Sequence, residues 1–137
     1  MLFSHNNNIF YKIYLLTILE YELLFELNSL LAYVGISSKR ISSINELTRV
    51  ASSMFVALFE SLFKLRLDGI VRNPYSKMDY IINAQLVVDG LSNQIQMDLQ
   101  HITGESIVAG DLRSLTNLIH ILFRCVNMRR FIKFSNE

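Results

Sequence analysis

The sequence contains one proline, one cysteine, five glycines and no tryptophan among its 137 residues. So little Pro and Gly excludes a collagen-like or linker-rich chain. A single cysteine, Cys125, excludes a disulfide framework and a cysteine-based zinc cluster. Hydrophobic residues make up 51% of the chain and charged residues 18%, a composition that excludes intrinsic disorder. The length is that of one domain, and the composition predicts a helical protein with a sizeable core.

Charges of opposite sign are separated along the chain. Residues 78–112 contain five acids and no Lys or Arg, whereas residues 113–136 contain five bases and no acid. Residues 36–77 hold seven bases against three acids. Such blocks can form a basic face and an acidic face, and a basic face suits a polyanionic partner. The alternative is that the blocks mix in space.

Residues 9–19 are nearly all apolar without resembling a targeting segment. Lys12 interrupts the apolar run, and Glu20, Glu22 and Glu26 stand where a membrane span of about 20 residues would have to continue. The start also lacks the positive charge and cleavage site of a signal peptide. We therefore expect neither a signal peptide nor a membrane span, and a reducing compartment, which suits an unpaired cysteine.

Hydrophobic spacing predicts four main helices, at about residues 14–33, 45–65, 77–91 and from Asp111 onward. Gly35 is expected to end the first helix in a left-handed conformation, and Ser43 or Asn45 to cap the second. Residues 66–76 contain Asp68-Gly69 and Asn73-Pro74 and are predicted to be a loop. Three of the predicted core-facing stripes are Leu16, Leu19, Leu23, Leu27, Leu30 and Val34; Leu47, Val50, Ala51, Met54, Phe55, Leu58, Phe59, Leu62 and Phe63; and Leu115, Leu118, Ile119, Leu122, Phe123 and Val126.

No constellation of residues indicates catalysis. His5, His101 and His120 form no metal-binding pair, and neither a Gly-rich phosphate loop nor an aromatic-and-basic RNA motif is present. Cys125 stands among apolar residues, which is typical of a structural thiol. We expect no enzyme activity, no cofactor, no metal and no nucleic-acid partner.

One stretch near the C-terminus carries a family resemblance. Residues 101–111 read HITGESIVAGD and lead into leucines at helical spacing. This resembles the end of a calponin-homology domain, where a similar turn precedes the last core helix. Gly110 is then expected to adopt a conformation that other residues resist, and Asp111 to cap the helix.

Three earlier motifs extend the resemblance, in order along the chain: MFVALFESL at 54–62, VRNPYS at 71–76 and NAQLVVDGL at 83–91. Together they are similar to a divergent (NN-CH) branch of the family found in centrosomal proteins. The resemblance implies an all-α, calponin-homology-like bundle of four main helices plus short connecting helices. It also implies a domain at 22–128, an extra N-terminal segment at 1–21 that is helical from about residue 14, and a basic C-terminal tail at 129–137.

Domains of this divergent kind are binding modules of kinetochore, ciliary and centrosomal proteins, and several contact microtubules through basic surfaces. The resemblance therefore implies a non-catalytic cytoskeletal interaction domain that binds microtubules or tubulin in the cytoplasm, at the centrosome or the ciliary basal body. The alternative is a protein–protein docking module in a centrosomal or ciliary scaffold without microtubule contact. A small hydrolase ranks far below both.

The candidate partner-binding residues are cations around the predicted loop. They bracket a break in the chain, so we expect them to project from one end of the domain, and loops carry binding more often than cores do. An ordinary solvated loop is the alternative. The candidates are Lys64, Arg66, Arg72 and Lys77, with Arg113 and Arg124 as a second, weaker group.

Overall fold

Helices make up the regular structure of the chain. The computed structural model describes residues 5–36 and 40–135, and no strand occurs among them. The helices are α1 (His5–Tyr33), α2 (Ile44–Phe63), α3 (Lys77–Ile95), α4 (Gly104–Val108) and α5 (Leu112–Ser135). The predicted all-α class, the four main helices and the loop at 66–76 are confirmed. The calponin-homology-like arrangement stays a prediction.

Local sequence signals set the helix ends where they were expected. Ser43 caps α2 by accepting a hydrogen bond from the backbone N–H of Glu46 at 3.1 Å. Asp111 caps α5 in the same way, with Ser114 as the donor at 3.1 Å. Gly35 follows α1 with a φ of 79°, and Gly110 precedes α5 with a φ of 76°. Both have a left-handed conformation, which a side chain would strain. These capping predictions are confirmed.

The first helix departs most from the expectation. It begins at His5 rather than near residue 14. Leu16 and Leu19, predicted to be buried, are 49% and 48% exposed, and the same prediction is wrong for Val50 on α2. Every residue from 8 to 22 is exposed, because no described helix covers this half of α1. The leucine spacing predicted one continuous apolar face of α1, but it did not show where the other helices stop covering that face. In the described part of the chain, no helix has both the length and the apolar character that crossing a bilayer requires.

The core joins all five helices. Phe55 and Phe59 of α2 are fully buried, as are Leu91 of α3, Ile107 of α4 and Ile119 of α5. Burial of such aromatic and aliphatic side chains stabilises the fold by about 25 cal/mol per Å² of apolar surface removed from water. The core fixes the five helices as one unit from Leu23 onward.

Helices α2 and α3 run in the same direction. Ser52 donates a hydrogen bond to the carbonyl oxygen of Tyr80 at 2.6 Å, and further along both helices Phe59 lies against Gly90. A connection between parallel neighbours must return along them. The loop at 64–76 therefore crosses back over the pair, and this return path places its charged residues beside both helices.

Candidate partner-binding surface

Glu60 of α2 fastens the returning loop from one side. The Arg72 guanidinium donates two hydrogen bonds to the two Glu60 carboxylate oxygens, at 2.7 and 2.8 Å. One of those oxygens also accepts the Leu67 backbone N–H at 2.7 Å. The hydrogen bond from Arg72 holds the pKa of Glu60 below its ordinary value, and Glu60 in turn raises the pKa of Arg72. Arg72 is thus an internal brace, and its charge is already matched.

Asn83 of α3 fastens the loop from the other side. Its side chain is buried, and its amide accepts the Val71 N–H at 2.8 Å and donates to the Val71 carbonyl at 2.9 Å. One side chain thereby satisfies both polar groups of one loop residue, as a neighbouring strand would. The loop is held by side chains of both helices and presents its exposed residues from a fixed backbone.

Three cations collect where α2 ends. Lys64 closes the helix in a left-handed conformation with φ of 53° and is exposed. Arg66 is exposed and lies close enough to Glu60 to help lower its pKa, after the larger effect of Arg72. Arg129 of α5 donates a hydrogen bond to the carbonyl oxygen of Leu62, and its guanidinium lies 4.9 Å from the centre of the Phe63 ring. We call Lys64, Arg66 and Arg129 the basic corner.

Arg129 has a structural reason to lie there. The last carbonyls of a helix lack partners within the helix and carry partial negative charge, so a cation at that end is stabilising. A guanidinium over an aromatic face adds a cation–π contact. Sequence reasoning missed Arg129, because it assigned residues 129–137 to a tail. In the structure α5 runs to Ser135, and residues 136–137 lie outside the described residues.

Lys77 does not belong to the same corner. It is exposed at the first position of α3, whose next turn contacts Ser52 through Tyr80. Lys64 lies twelve residues beyond Ser52 on α2, which corresponds to about 18 Å along the axis at 1.5 Å per residue. The expectation that all four loop cations project from one end is therefore wrong for Lys77. Because α2 and α3 are parallel, the loop returns along α2 before α3 begins at Lys77.

Arg113 and Arg124 are exposed on α5. Arg113 stands in the first turn and contributes to lowering the pKa of Asp111, after the larger effect of the Ser114 hydrogen bonds. Between the two arginines, Nδ1 of His120 lies 3.2 Å from a Glu26 oxygen of α1. Among the described residues, no hydrogen bond or ion pair joins either arginine to the basic corner.

A shallow groove of about 230 Å³ separates α2 from the returning loop. Its apolar walls are Val56, Ala57, Ile70 and Pro74. Its polar groups include Glu60 and Asn83, both of which hold the loop. Cys125 lies elsewhere, half-buried on α5, where burial raises the pKa of its thiol, in keeping with a structural residue.

Comparisons with known proteins match the loop and the helices that follow it, whereas Lys64, Arg66 and Arg129 lie outside the residues of the family match. A family model described as a domain of unknown function, DUF5745, matches residues 67–125, from the loop through α3 and α4 into α5. The chain is similar to the centrosomal protein of 95 kDa of Mus musculus and to that of Rattus norvegicus, at 37% identity over 79 residues in each. These residues are 57% of this chain but only 10% of each relative. The similarity to a centrosomal protein expected from the motifs is confirmed.

Proposed function

We propose that this chain is a non-catalytic interaction module of a centrosomal scaffold and that it binds microtubules or tubulin through the basic corner. The similarity to the centrosomal protein of 95 kDa is the observation that carries the centrosomal assignment. Since the matched segment is a small part of that relative, the assignment concerns this module alone. We also propose that the module is located in the cytoplasm, at the cytoskeleton, with the ciliary basal body as a related site.

The basic corner supports the choice of an acidic partner. Lys64 and Arg66 are exposed and have no ion-pair partner among the described residues, so their charge is available to a ligand. Exposed Lys and Arg contribute weak, salt-sensitive contacts, which suit the acidic tails of tubulin better than a buried site would. The braces from Glu60 and Asn83 mean that little backbone entropy is lost when a partner arrives.

We propose a binding role in preference to an enzymatic one because the polar groups of the groove have structural partners. Glu60 is occupied by Arg72 and Leu67, and Asn83 by Val71. A general base or nucleophile has to be free to reach a substrate. We also propose a calponin-homology-like arrangement, which the capped turn at Gly110 and Asp111 ahead of α5 supports. Superposition of an experimental backbone on a solved calponin-homology domain tests that arrangement.

A protein–protein docking module is the second candidate function. The groove between α2 and the loop favours it, because its apolar walls, such as Val56 and Ile70, could receive a side chain of a centrosomal partner. This binding would depend on apolar burial and would change little with salt.

Salt-dependent co-pelleting with microtubules tests the proposal and separates the two candidates. The purified chain is sedimented with microtubules at increasing ionic strength, and in parallel with microtubules whose acidic tails have been removed by protease. The proposal predicts binding that weakens steeply with salt and is lost without the tails. Binding that is insensitive to both treatments would exclude the electrostatic mode, and absence of binding at low salt would leave the docking function in its place.

A further inference from the structure

The N-terminal half of α1 exposes far more apolar surface than a monomer usually does. Eleven large side chains between residues 9 and 25 are between 36% and 71% exposed. Side chains of this size contribute on the order of 1,000 Å² of exposed apolar surface together, spread over several faces of the helix. The largest apolar patch of a typical monomer is about 300–600 Å².

One face of this segment has a self-complementary pattern. Lys12, Leu15, Leu19 and Glu22 follow spacings of three, four and three, which places them on a single stripe of the helix. Leu15 and Leu19 are 41% and 48% exposed at the middle of the stripe. The two ends carry opposite charges. Neither Lys12 nor Glu22 has an ion-pair partner among the described residues.

The charges decide the orientation of a second copy. If two α1 helices pair antiparallel, Lys12 of each copy lies opposite Glu22 of the other, and Leu15 lies opposite Leu19. A parallel pair would place Lys12 against Lys12 and Glu22 against Glu22, which is repulsive. Lys12, Leu16 and Glu20 form a similar stripe on the adjacent face, but the groove of Tyr21, Phe25 and Phe123 lies beside Glu22 and not beside Glu20.

A groove continues this face toward the body of the domain. Tyr21, Glu22, Phe25 and Glu26 of α1 and Phe123 of α5 line a cavity of about 330 Å³. In the antiparallel register, the first turns of the second copy's α1 lie over this groove, with their Lys12 beside its two carboxylates. The aromatic walls then cover the apolar residues that flank Lys12.

We propose that the chain forms an antiparallel homodimer through the stripe Lys12, Leu15, Leu19 and Glu22. The contact is isologous, with each copy supplying the same surface, as closed two-fold dimers require. It is separate from the basic corner and does not depend on the proposed function.

Charge exchange tests the dimer, because all the substituted positions are exposed in the single chain. Sedimentation equilibrium is measured for the wild type, Lys12→Glu, Glu22→Lys, the double variant, and an equimolar mixture of the two single variants. We expect each single substitution to raise the dimer dissociation constant about tenfold, since two contacts change from attraction to repulsion. The double variant and the mixture are expected to regain the wild-type constant.

Glu20→Lys is the matched control, since it makes the same charge change on another face and is expected to leave the constant unchanged. A wild type that stays monomeric at every concentration would overturn the proposal. So would a double variant as weak as the singles, or an effect of Glu20→Lys equal to that of Glu22→Lys. A monomeric wild type that co-sediments with phosphatidylcholine vesicles would assign the apolar surface to a bilayer instead.

Discussion

At the scale of single residues, Asp111 has the clearest isolated effect. Its carboxylate accepts both the backbone N–H and the hydroxyl of Ser114, at 3.1 and 2.8 Å, in the first turn of α5. We expect Asp111→Ala to lower the free energy of unfolding by about 1 kcal/mol, the usual cost of losing an N-cap. Asn caps helices nearly as well, so Asp111→Asn should lose much less. Equal losses for the two variants in urea denaturation would show that charge and not capping matters.

Glu60 gives the chain a specific sensitivity to acid. Its pKa is lowered in the folded state, chiefly by the hydrogen bond from Arg72, so its stabilising contribution is present above the pKa of an unfolded Glu. That contribution is lost as pH falls through the lower, folded value. Arg72 stays charged throughout this range.

The pH dependence of a Glu60→Gln variant checks this linkage. We expect it to be less stable than the wild type by on the order of 1 kcal/mol at pH 7, because a partly exposed pair is strengthened here by the Leu67 contact. The difference should shrink as pH falls below the ordinary Glu pKa of about 4.3 and toward the lower, folded value, where the wild-type carboxylate becomes protonated. Asp79 and Asp111, whose pKa values are also lowered, are common to both proteins and cancel in the comparison. A difference that is constant from pH 7 to pH 3 would contradict the account.

At the scale of elements, the loop between α2 and α3 depends on Asn83. Without this side chain, both polar groups of Val71 lose their partner. We expect Asn83→Ala to cost about 1–3 kcal/mol, because two partly buried polar groups of Val71 are left unpaired. Amide hydrogen exchange should accelerate across residues 65–73 more than in the helices.

The exposed Asn93 of the same helix provides the control, because its side chain makes no hydrogen bond within the described residues. Asn93→Ala should leave both the stability and the exchange of the loop unchanged. If Asn83→Ala accelerated exchange uniformly across the protein, the loop would not be a separately braced element.

The helices also show which features could be predicted from the sequence, namely their ends but not their burial. Helix ends followed from short-range chemistry, such as Ser43 ahead of α2 and Asp111 ahead of α5, because caps depend on neighbours in the chain. The exposure of Leu16 and Leu19 did not follow, since a helical stripe reads the same whether or not another element covers it. Contact of α1 with the other helices begins at Leu23, and it depends on the tertiary arrangement and not on the local sequence.

For a similar reason, the sequence predicted only part of the candidate partner-binding surface. Lys64 and Arg66 were identified from their place beside a predicted break. Arg72 was grouped with them, although it is matched by a glutamate twelve residues away, and Arg129 comes from a distant part of the chain. One signal was available for the brace: Asn83 stands among apolar residues of α3, where a buried amide requires partners.

At the scale of the whole molecule, the chain combines two independent surfaces on one core. The basic corner lies where α2 meets α5, whereas the apolar stripe lies on the uncovered half of α1. A dimer through the stripe would present two basic corners to one partner. Two linked weak contacts bind more tightly than either alone when the geometry allows both to engage.

Microtubule co-pelleting of charge-reversed variants at low salt tests the basic corner most directly. Lys64→Glu combined with Arg66→Glu is compared with Arg40→Glu combined with Arg49→Glu, which makes the same change in net charge around the start of α2. All four residues are exposed, so both variants should keep the wild-type circular dichroism and melting temperature. The account predicts that the first pair loses most of the bound fraction and that the second pair retains it. Equal binding by the wild type and the folded Lys64 and Arg66 variant would contradict it.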